Sequence, residues 1–355
     1  MWWVKASRFV RENQLYVLMV LFIVAANIFA AKLPMSEREE GLIAKKQHHR
    51  YLSANEIAAR EKRIKEVIAK DKPLALTVTV STFACAMALM AGLILGVNCL
   101  VRKLNGQDIM VAYGSPPDAR WGFTDIFRVA AAFYFLGYVI QMGAAILIGL
   151  LNVKNVDDKL FMVAGATAMD FIWIGIIGYF LIEKFNVGFK GVGVSFNNLK
   201  RDIRVGLGGY LTLIPVLAVI MLVVIVLLRI LNFQPTEPTS LELMYDAKGP
   251  HILAVLTVLV TLIGPVAEEL FFRGFAYPVV RRRLGAGKSI LLVSFVFAAL
   301  HMNVVSFFPI FALGILLAYL YEKTGSLIPA ITVHIIHNSA VVFFVFLYRY
   351  LALPG

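Results

Sequence analysis

The sequence predicts an all-α fold, a polytopic transmembrane helical bundle with about nine membrane spans. Two observations support this fold class. Apolar residues make up 60% of the 355 residues and charged residues only 16%, whereas a soluble domain is nearer half apolar and a quarter charged. Stretches of roughly 17–25 apolar residues, long enough to cross a bilayer, recur along the chain with charged segments between them. The excess of apolar surface therefore has to face lipid.

The predicted spans follow these apolar stretches in chain order. Several are short or interrupted by Pro and Gly, which weaken a helix when they lie in its interior. Residues 1–183 are predicted to form N-terminal membrane spans, and residues 184–355 a C-terminal membrane region whose core lies at about 252–350. The spans are 14–31, 74–101, 127–151, 160–182, 205–231, 251–278, 289–302, 307–321 and 327–350.

A long charged segment, about 36–72, separates the first two spans. Ser53 followed by Glu56 has the spacing of a helix-capping box. Acidic residues then precede basic residues at the i,i+4 spacing that stabilises an exposed helix. The segment is therefore predicted to contain a helix outside the membrane, in contact with water.

The basic residues are distributed between the spans and do not form a single patch. The formal net charge is +12, but Lys and Arg are most frequent in alternate gaps, including the triple-arginine turn 281–283. Short basic loops remain in the cytoplasm, so we expect a multi-pass protein of the cell membrane, in bacteria the inner membrane, with a cytoplasmic N-terminus. Membrane lipid is an expected partner and nucleic acid is not. Cys85 and Cys99 lie about 21 Å apart on one predicted helix, too far for a disulfide with each other.

Ionisable residues inside the predicted spans are concentrated in the C-terminal third of the chain. Such groups are costly in a bilayer unless they are paired or hydrated, and they are therefore functional candidates. At a rise of 1.5 Å per residue, Glu268 lies about 20 Å from Arg281, and His301 about 20 Å from Lys288 on the returning helix. Helices of alternating direction thus bring their polar groups to one level of the membrane. The candidates are Glu268, Glu269, Arg273, His301, His334, His337 and Asn338, with Asp170 in the fourth span as an outlier.

Glu268 and Glu269 are consecutive, so they point in different directions on a helix and should have different roles. Glu269 and Arg273 are four residues apart on a helix and should form an ion pair. Glu268 is rotated by about 100° from Glu269, which leaves it free to act as a general base. The dipeptide Gly264-Pro265 before the pair should interrupt the helical hydrogen-bond ladder and bend the helix.

Three further side chains complete the predicted site. His301 would orient the water molecule or share its proton, while His334 and Asn338, at i,i+4 spacing, would donate hydrogen bonds to the oxyanion of a tetrahedral intermediate. A second interpretation remains open, because Glu268, His301 and His334 would also offer zinc one carboxylate and two imidazoles with an open position. The sequence requires no cofactor, although it allows zinc. It does not distinguish the mechanism in which Glu268 activates water from the one that depends on zinc.

Three short motifs follow one another on successive apolar segments: EExxxR at 268–273, FxxxH at 297–301 and HxxxN at 334–338. In this order they resemble the motifs of the CPBP family, the CAAX-protease and bacteriocin-processing group of intramembrane endopeptidases. This family, also called Abi, includes the type II CAAX prenyl proteases. The resemblance covers about 252–350 and implies a helical, membrane-embedded core with a cavity open to one side.

The resemblance also implies roles for individual residues. These roles are water activation by Glu268 and His301, oxyanion stabilisation by His334 and Asn338, and support of the site by Glu269 and Arg273. The resemblance implies no role for His337.

Residues and resemblance together predict an intramembrane endopeptidase that hydrolyses a peptide bond of a membrane-associated protein or peptide. One alternative is a non-catalytic membrane scaffold or bacteriocin-immunity protein that keeps the family cavity for binding. A proton-coupled transporter is a third hypothesis, since buried Glu and His also relay protons. It is less favoured because the polar groups are confined to one end of the chain.

Overall fold

The computed structural model describes residues 2–30, 54–110, 112–150, 158–233, 244 and 249–352. These residues form helices joined by turns, with no strand among them, so the all-α prediction is confirmed for this part of the chain. Seven helices are long and apolar enough to cross a membrane. They are Lys72–Leu104, Phe123–Ala144, Val163–Lys184, Leu199–Ile230, Pro250–Ala299, Val304–Thr324 and Ile328–Leu351.

The predicted count of nine spans differs from these seven helices in two places. Spans 251–278 and 289–302 both lie in the stretch Pro250–Ala299, within which two helices meet at Gly285, whose φ of 73° and ψ of 169° are not helical. The first predicted span coincides with a shorter apolar helix, Gln14–Ile28. Apolar length alone locates the spans, but it does not distinguish a kink from a loop.

The α-helices are numbered here in chain order. Three π-helical segments, Phe180–Lys184, Leu259–Ile263 and Leu270–Ala276, and one 3-10 helix, Phe189–Val192, lie between them. The α-helices are α1 (Trp2–Glu12), α2 (Gln14–Ala30), α3 (Ala54–Lys70), α4 (Lys72–Leu104), α5 (Phe123–Leu150), α6 (Asp158–Tyr179), α7 (Leu199–Ile230), α8 (Pro250–Val258), α9 (Gly264–Glu269), α10 (Tyr277–Ala299), α11 (Val304–Thr324) and α12 (Ile328–Ala352).

The predicted charged segment contains α3 as expected. This helix contacts α4 and the membrane helix α12, and Asp71 directly after it caps α4 by accepting a hydrogen bond from the Leu74 amide at 3.0 Å. Ser53 and the residues at 36–53 lie outside the described ranges, so the capping box stays a prediction.

Helices α10 and α11 form a hairpin that holds one side of the C-terminal region. The turn between them ends at Asn303, whose side chain accepts a hydrogen bond from the Ser306 amide at 2.9 Å and so satisfies the first turn of α11. Gly325 ends α11 with a φ of 64°, a left-handed conformation that glycine adopts without steric cost. Helix α12 then returns against α7 and α11, and the short α9 lies between α6 and α12.

Residues 112–122, which we call the strap, lie between α4 and α5 in the chain and pack against the C-terminal helices. The Tyr113 amide donates to the Lys323 carbonyl at 3.0 Å, and the indole Nε1–H of Trp121 donates to the Phe275 carbonyl at 2.6 Å. The Trp121 ring stacks on Phe275 with centroids 4.9 Å apart. Arg282 donates to the carbonyls of Ala119 and Trp121. The strap is therefore part of the packing that holds the C-terminal helices.

Tyr113 also fixes the strap to α7. Its hydroxyl donates to Asp202 Oδ1 at 3.0 Å, and the Arg201 guanidinium lies over its ring at 3.7 Å. Burial, followed by the hydrogen bond to Asp202, raises the pKa of Tyr113 to about 12. The phenol therefore remains a hydrogen-bond donor at neutral pH.

Candidate active site

The acidic pair lies on a short α-helix with a π-helix on either side. The amide of Gly264 donates to the carbonyl of Leu259, five residues earlier, and Pro265 has no amide hydrogen to donate. The hydrogen-bond ladder is thus interrupted where the Gly264-Pro265 dipeptide predicted an interruption. The segment α9 begins at this point and carries Glu268 and Glu269 at its end.

The two adjacent glutamates have different surroundings. The Glu269 side chain is completely buried, whereas 36% of the Glu268 side chain is exposed. The rotation of about 100° between successive helical residues turns one carboxylate into the protein and the other towards an open side. The sequence-based distinction between a paired and a free glutamate is consistent with this arrangement.

Glu269 is held by two donors on different helices. Arg273 Nη1 donates to Glu269 Oε1 at 2.7 Å, and His334 Nδ1 on α12 lies 2.9 Å from the same oxygen. The predicted ion pair between Glu269 and Arg273 is confirmed. Because a carboxylate oxygen only accepts hydrogen bonds, Nδ1 of His334 carries the proton. Glu269 therefore fixes the orientation of the His334 ring.

Arg273 is fully buried and connects the site to the α10–α11 hairpin. Its Nη2 donates to the Gly314 carbonyl at 3.2 Å, and its guanidinium lies 4.4 Å from the centroid of the Phe297 ring. A buried guanidinium is tolerated when it has a carboxylate and further acceptors. The positive charge of Arg273 thus offsets the negative charge of Glu269, and leaves Glu268 as the free carboxylate of the pair.

Glu268 points one oxygen at His334 without a hydrogen bond. Its Oε2 is buried and has no hydrogen-bond partner among the described residues. The distance from this oxygen to His334 Nε2 is 3.8 Å. This is too long for a direct hydrogen bond, but two polar atoms at such a separation can be bridged by one water molecule.

His301 lies in the turn after α10, not inside a membrane helix as the predicted span 289–302 implied. Helix α10 ends at Ala299, and the His301 side chain caps it, with Nδ1 2.8 Å from the Phe297 carbonyl. A carbonyl oxygen only accepts, so Nδ1 carries the proton, and Nε2 of the neutral ring presents a lone pair. The residue is exposed.

Phe297 brings the two histidines to one side chain. Its ring lies 5.0 Å from that of His301 and 5.7 Å from that of His334, both in edge-to-face geometry. The first residue of the FxxxH motif therefore packs between both imidazoles and the Arg273 guanidinium. His301 is thus connected to the Glu269–His334 pair through a shared aromatic contact.

Asn338 has a hydrogen-bond partner in the backbone. Its Nδ2 donates to the Val260 carbonyl at 2.8 Å. That carbonyl lacks its helical donors, because the Gly264 amide is used by Leu259 and Pro265 has no amide hydrogen. Asn338 therefore stabilises the π-helix before the acidic pair, and only its second amide hydrogen is available for an oxyanion. The proposed oxyanion role remains a prediction.

His337 points away from this site. Its Nδ1 lies 3.4 Å from the hydroxyl of Tyr210 on α7, and the two rings meet edge to face. The contact joins α12 to α7, which the sequence alone did not connect. His337 thus has a packing partner outside the predicted site.

The zinc interpretation requires its three ligands to converge on one point. Among the described residues, no group of three His, Cys, Asp or Glu side chains is close enough together to hold a metal ion. Glu268, His301 and His334 are all described, and they do not form such a group. His334 donates from Nδ1 to Glu269, which leaves Nε2 free and is the usual arrangement of a metal-binding histidine. Binding of zinc by these three residues stays a prediction.

Two residues near the site were not assigned by sequence reasoning. Asp170 on α6 lies beside Gly264 of α9, where a Cβ atom built on the glycine would be 3.8 Å from Asp170 Oδ2. Trp121 of the strap contacts Phe275 in the π-helix after the acidic pair. Both come from parts of the chain far from the motifs, and only the intramembrane position of Asp170 gave a signal.

The C-terminal helices that carry this site match a known family. Residues 250–340 match the family model described as type II CAAX prenyl endopeptidase Rce1-like. These residues are therefore similar to the type II CAAX prenyl endopeptidases, and we call them the CAAX-endopeptidase-like region. This region contains all three motifs, and the predicted relation to the CPBP family is confirmed for these residues. No curated protein and no solved structure matches the chain.

The family match covers only the C-terminal part of the chain. The CAAX-endopeptidase-like region begins at the first residue of α8 and ends within α12. Helices α1 to α7 and the strap lie outside the matched residues, although the strap and α7 pack against this region. The family points to an intramembrane protease in a protein with several membrane helices.

Proposed function

We propose that the protein is an intramembrane endopeptidase that hydrolyses a peptide bond of a membrane-associated protein or peptide. The proposal rests above all on the unpartnered Oε2 of Glu268, which faces His334 Nε2 at 3.8 Å. A carboxylate with no cation of its own, at a distance from an imidazole that one water molecule can bridge, has the surroundings required of a general base. The family match adds the reaction class.

In the proposed mechanism a water molecule lies between Glu268 and His334. Glu268 accepts one proton from this water, and the oxygen attacks the carbon of the scissile carbonyl. A new C–O bond forms and the carbonyl oxygen becomes an oxyanion. The Nε2 lone pair of His301 offers a second acceptor for the water, and thereby orients it.

The oxyanion is then stabilised from α12. His334 donates from Nε2 when the ring is doubly protonated, and the carboxylate of Glu269 on Nδ1 then balances the positive charge of the ring. The second amide hydrogen of Asn338 provides another donor. When the tetrahedral intermediate collapses, the C–N bond breaks and Glu268 returns its proton to the leaving amine. The products are a carboxylic acid and an amine, and the enzyme is unchanged.

The test compares Glu268→Gln with wild-type protein and with a control at the exposed residue Glu183. Membranes from cells that express each form are analysed for new peptide N-termini, and a peptide identified in this way is then offered to purified protein in liposomes. Glu268→Gln is expected to lower kcat by about 10²–10⁴, the usual contribution of a general base. Glu183→Gln should retain wild-type activity.

Two results would overturn the proposal. Cleavage at the wild-type rate by folded Glu268→Gln would remove the general base. Identical N-termini in membranes with and without the wild-type protein would favour a non-catalytic scaffold. Assays with and without a chelator, together with metal analysis of the same sample, separate the glutamate mechanism from a metal-dependent one.

A further inference from the structure

Asp170 is a second carboxylate beside the site, on a helix outside the CAAX-endopeptidase-like region. It lies within the membrane helix Val163–Lys184 and is partly buried. None of the described residues gives it a hydrogen bond or an ion pair. An unpaired carboxylate in a membrane helix is costly unless water reaches it, and such residues usually serve a function.

Two contacts fix the position of Asp170 relative to Glu268. Oδ2 of Asp170 lies 3.8 Å from the place where a Cβ on Gly264 would be. Gly264 and Glu268 are four residues apart in α9, and therefore share one face of that helix. Trp173, also on α6, packs its ring at 4.4 Å on that of Phe271 in the π-helix that follows α9. Glu268 thus lies between these two contact points along the chain.

Asp170 thus lies close to the face of α9 that also carries Glu268. Asp170 comes close enough to Glu268 for the two carboxylates to interact electrostatically. The nearby cation, Arg273, already pairs with Glu269, and the near face of His334 is directed at Glu268. Two neighbouring carboxylates without a cation between them are stabilised by water that donates a hydrogen bond to each.

We propose that Asp170 is a positioning residue whose carboxylate holds water in a hydrated cleft beside Glu268. The inference rests on the proposed function, because water is the second substrate of peptide hydrolysis. Asp170 accepts a hydrogen bond from this water and keeps it on the face of α9 from which Glu268 removes a proton. A helix of the N-terminal half thereby supplies part of the reaction site.

The hydration is tested without any substrate. In a background with Cys85→Ser and Cys99→Ser, Asp170→Cys is treated in liposomes with a small, charged methanethiosulfonate reagent, which reacts with thiolates in water. The matched control is Phe171→Cys, at nearly the same depth on the exposed outer side of the helix. Asp170→Cys should react on the order of tenfold faster or more, since a thiol in hydrocarbon does not ionise.

The wild-type protein provides a second measurement in case the cysteine variant does not fold. A water-soluble carbodiimide with a glycine ester should modify Asp170, as detected by mass spectrometry of its peptide. Equal reactivity of the two cysteines, or an unmodified Asp170 in wild-type protein whose exposed carboxylates are modified, would overturn the inference.

The positioning role is tested by kinetics with the peptide substrate. Asp170→Asn, which still accepts a hydrogen bond from water, should retain most of the activity. Asp170→Leu should lower kcat on the order of tenfold with KM unchanged. A wild-type kcat for Asp170→Leu would overturn the role. If instead Glu268→Gln remained active, the proposed function would fail, while the cysteine reactivity would still report hydration independently.

Discussion

Glu269 and His334 are joined by a 2.9 Å contact between Oε1 and Nδ1, and Arg273 donates to the same oxygen. Oε1 of the glutamate next to Glu268 in sequence therefore holds both a histidine and an arginine, while its Oε2 has no hydrogen-bond partner among the described residues. This division explains why two adjacent acids are present in one motif. One carboxylate fixes the geometry of the imidazole, and the other is left without a partner in front of it.

The first prediction concerns the charge of Glu269. Glu269→Gln leaves the guanidinium of Arg273 buried without a counter-ion, and we expect the free energy of unfolding to fall by about 3–5 kcal/mol. Denaturation in mixed micelles measures the loss. The double variant Glu269→Gln, Arg273→Met should be less destabilised than the single one, because it removes the buried charge. A single variant as stable as wild type would contradict the ion pair.

The sequence predicted the ion pair between Glu269 and Arg273 in the candidate site, and helix geometry explains why. The spacings of Glu268, Glu269 and Arg273 are local, so a rise and a rotation per residue were sufficient to separate a free acid from a paired one. The partner of His334 was not predictable in this way. His334 lies 65 positions after Glu269, and only the packing of α9 against α12 shows which acid its ring meets.

The second prediction concerns the strap. Trp121→Phe keeps an aromatic ring on Phe275 but removes the indole donor to the Phe275 carbonyl. Loss of this buried hydrogen bond should cost about 0.5–1.5 kcal/mol, and thermal denaturation should show a loss of this size. Trp121→Ala should cost more, since it also leaves a cavity. As a control, Phe123→Leu at an exposed position should change stability little. Unchanged stability of Trp121→Phe would argue against a tightly docked strap.

The fold was predicted in part. Apolar length predicted the helices, but not that two of them would meet at Gly285 without a loop, or that His301 would cap a helix from a turn. The strap is docked by the contact between Trp121 and Phe275, which lie 154 positions apart in the sequence. No local pattern reports such a contact, because it depends on the arrangement of helices between the two residues.

The third prediction concerns the end of α11. Gly325 has a φ of 64°, and a Cβ on it would collide with the carbonyl of Ser115 in the strap. Gly325→Ala should therefore destabilise the protein by more than about 1–2 kcal/mol, the cost of the left-handed backbone alone. Gly96→Ala is the matched control, because Gly96 is helical and has open space around it. That substitution should be neutral or stabilising by roughly 0.4–1 kcal/mol. Equal effects of the two substitutions would contradict the close approach of the strap.

The fourth prediction separates two roles of Asn338. A residue that only stabilises an oxyanion affects kcat and leaves folding unchanged, whereas Asn338 also donates to the otherwise unsatisfied carbonyl of Val260. Asn338→Ala should therefore lower the free energy of unfolding by about 1–3 kcal/mol in addition to any loss of kcat. Asn338→Asp should be at least as harmful, because an ionised carboxylate cannot donate and repels the carbonyl oxygen.

The control for this prediction is the neighbouring Ser339, which is exposed on the same helix. Ser339→Ala should leave both stability and kcat at wild-type values. A fully stable Asn338→Ala with a reduced kcat would assign the residue to the reaction alone and make the bond to Val260 dispensable. A loss of stability with unchanged kcat in the folded fraction would assign it to the π-helix. We expect both stability and kcat to fall. That result would mean that Asn338, on the same helix as His334, holds the backbone that leads to Glu268.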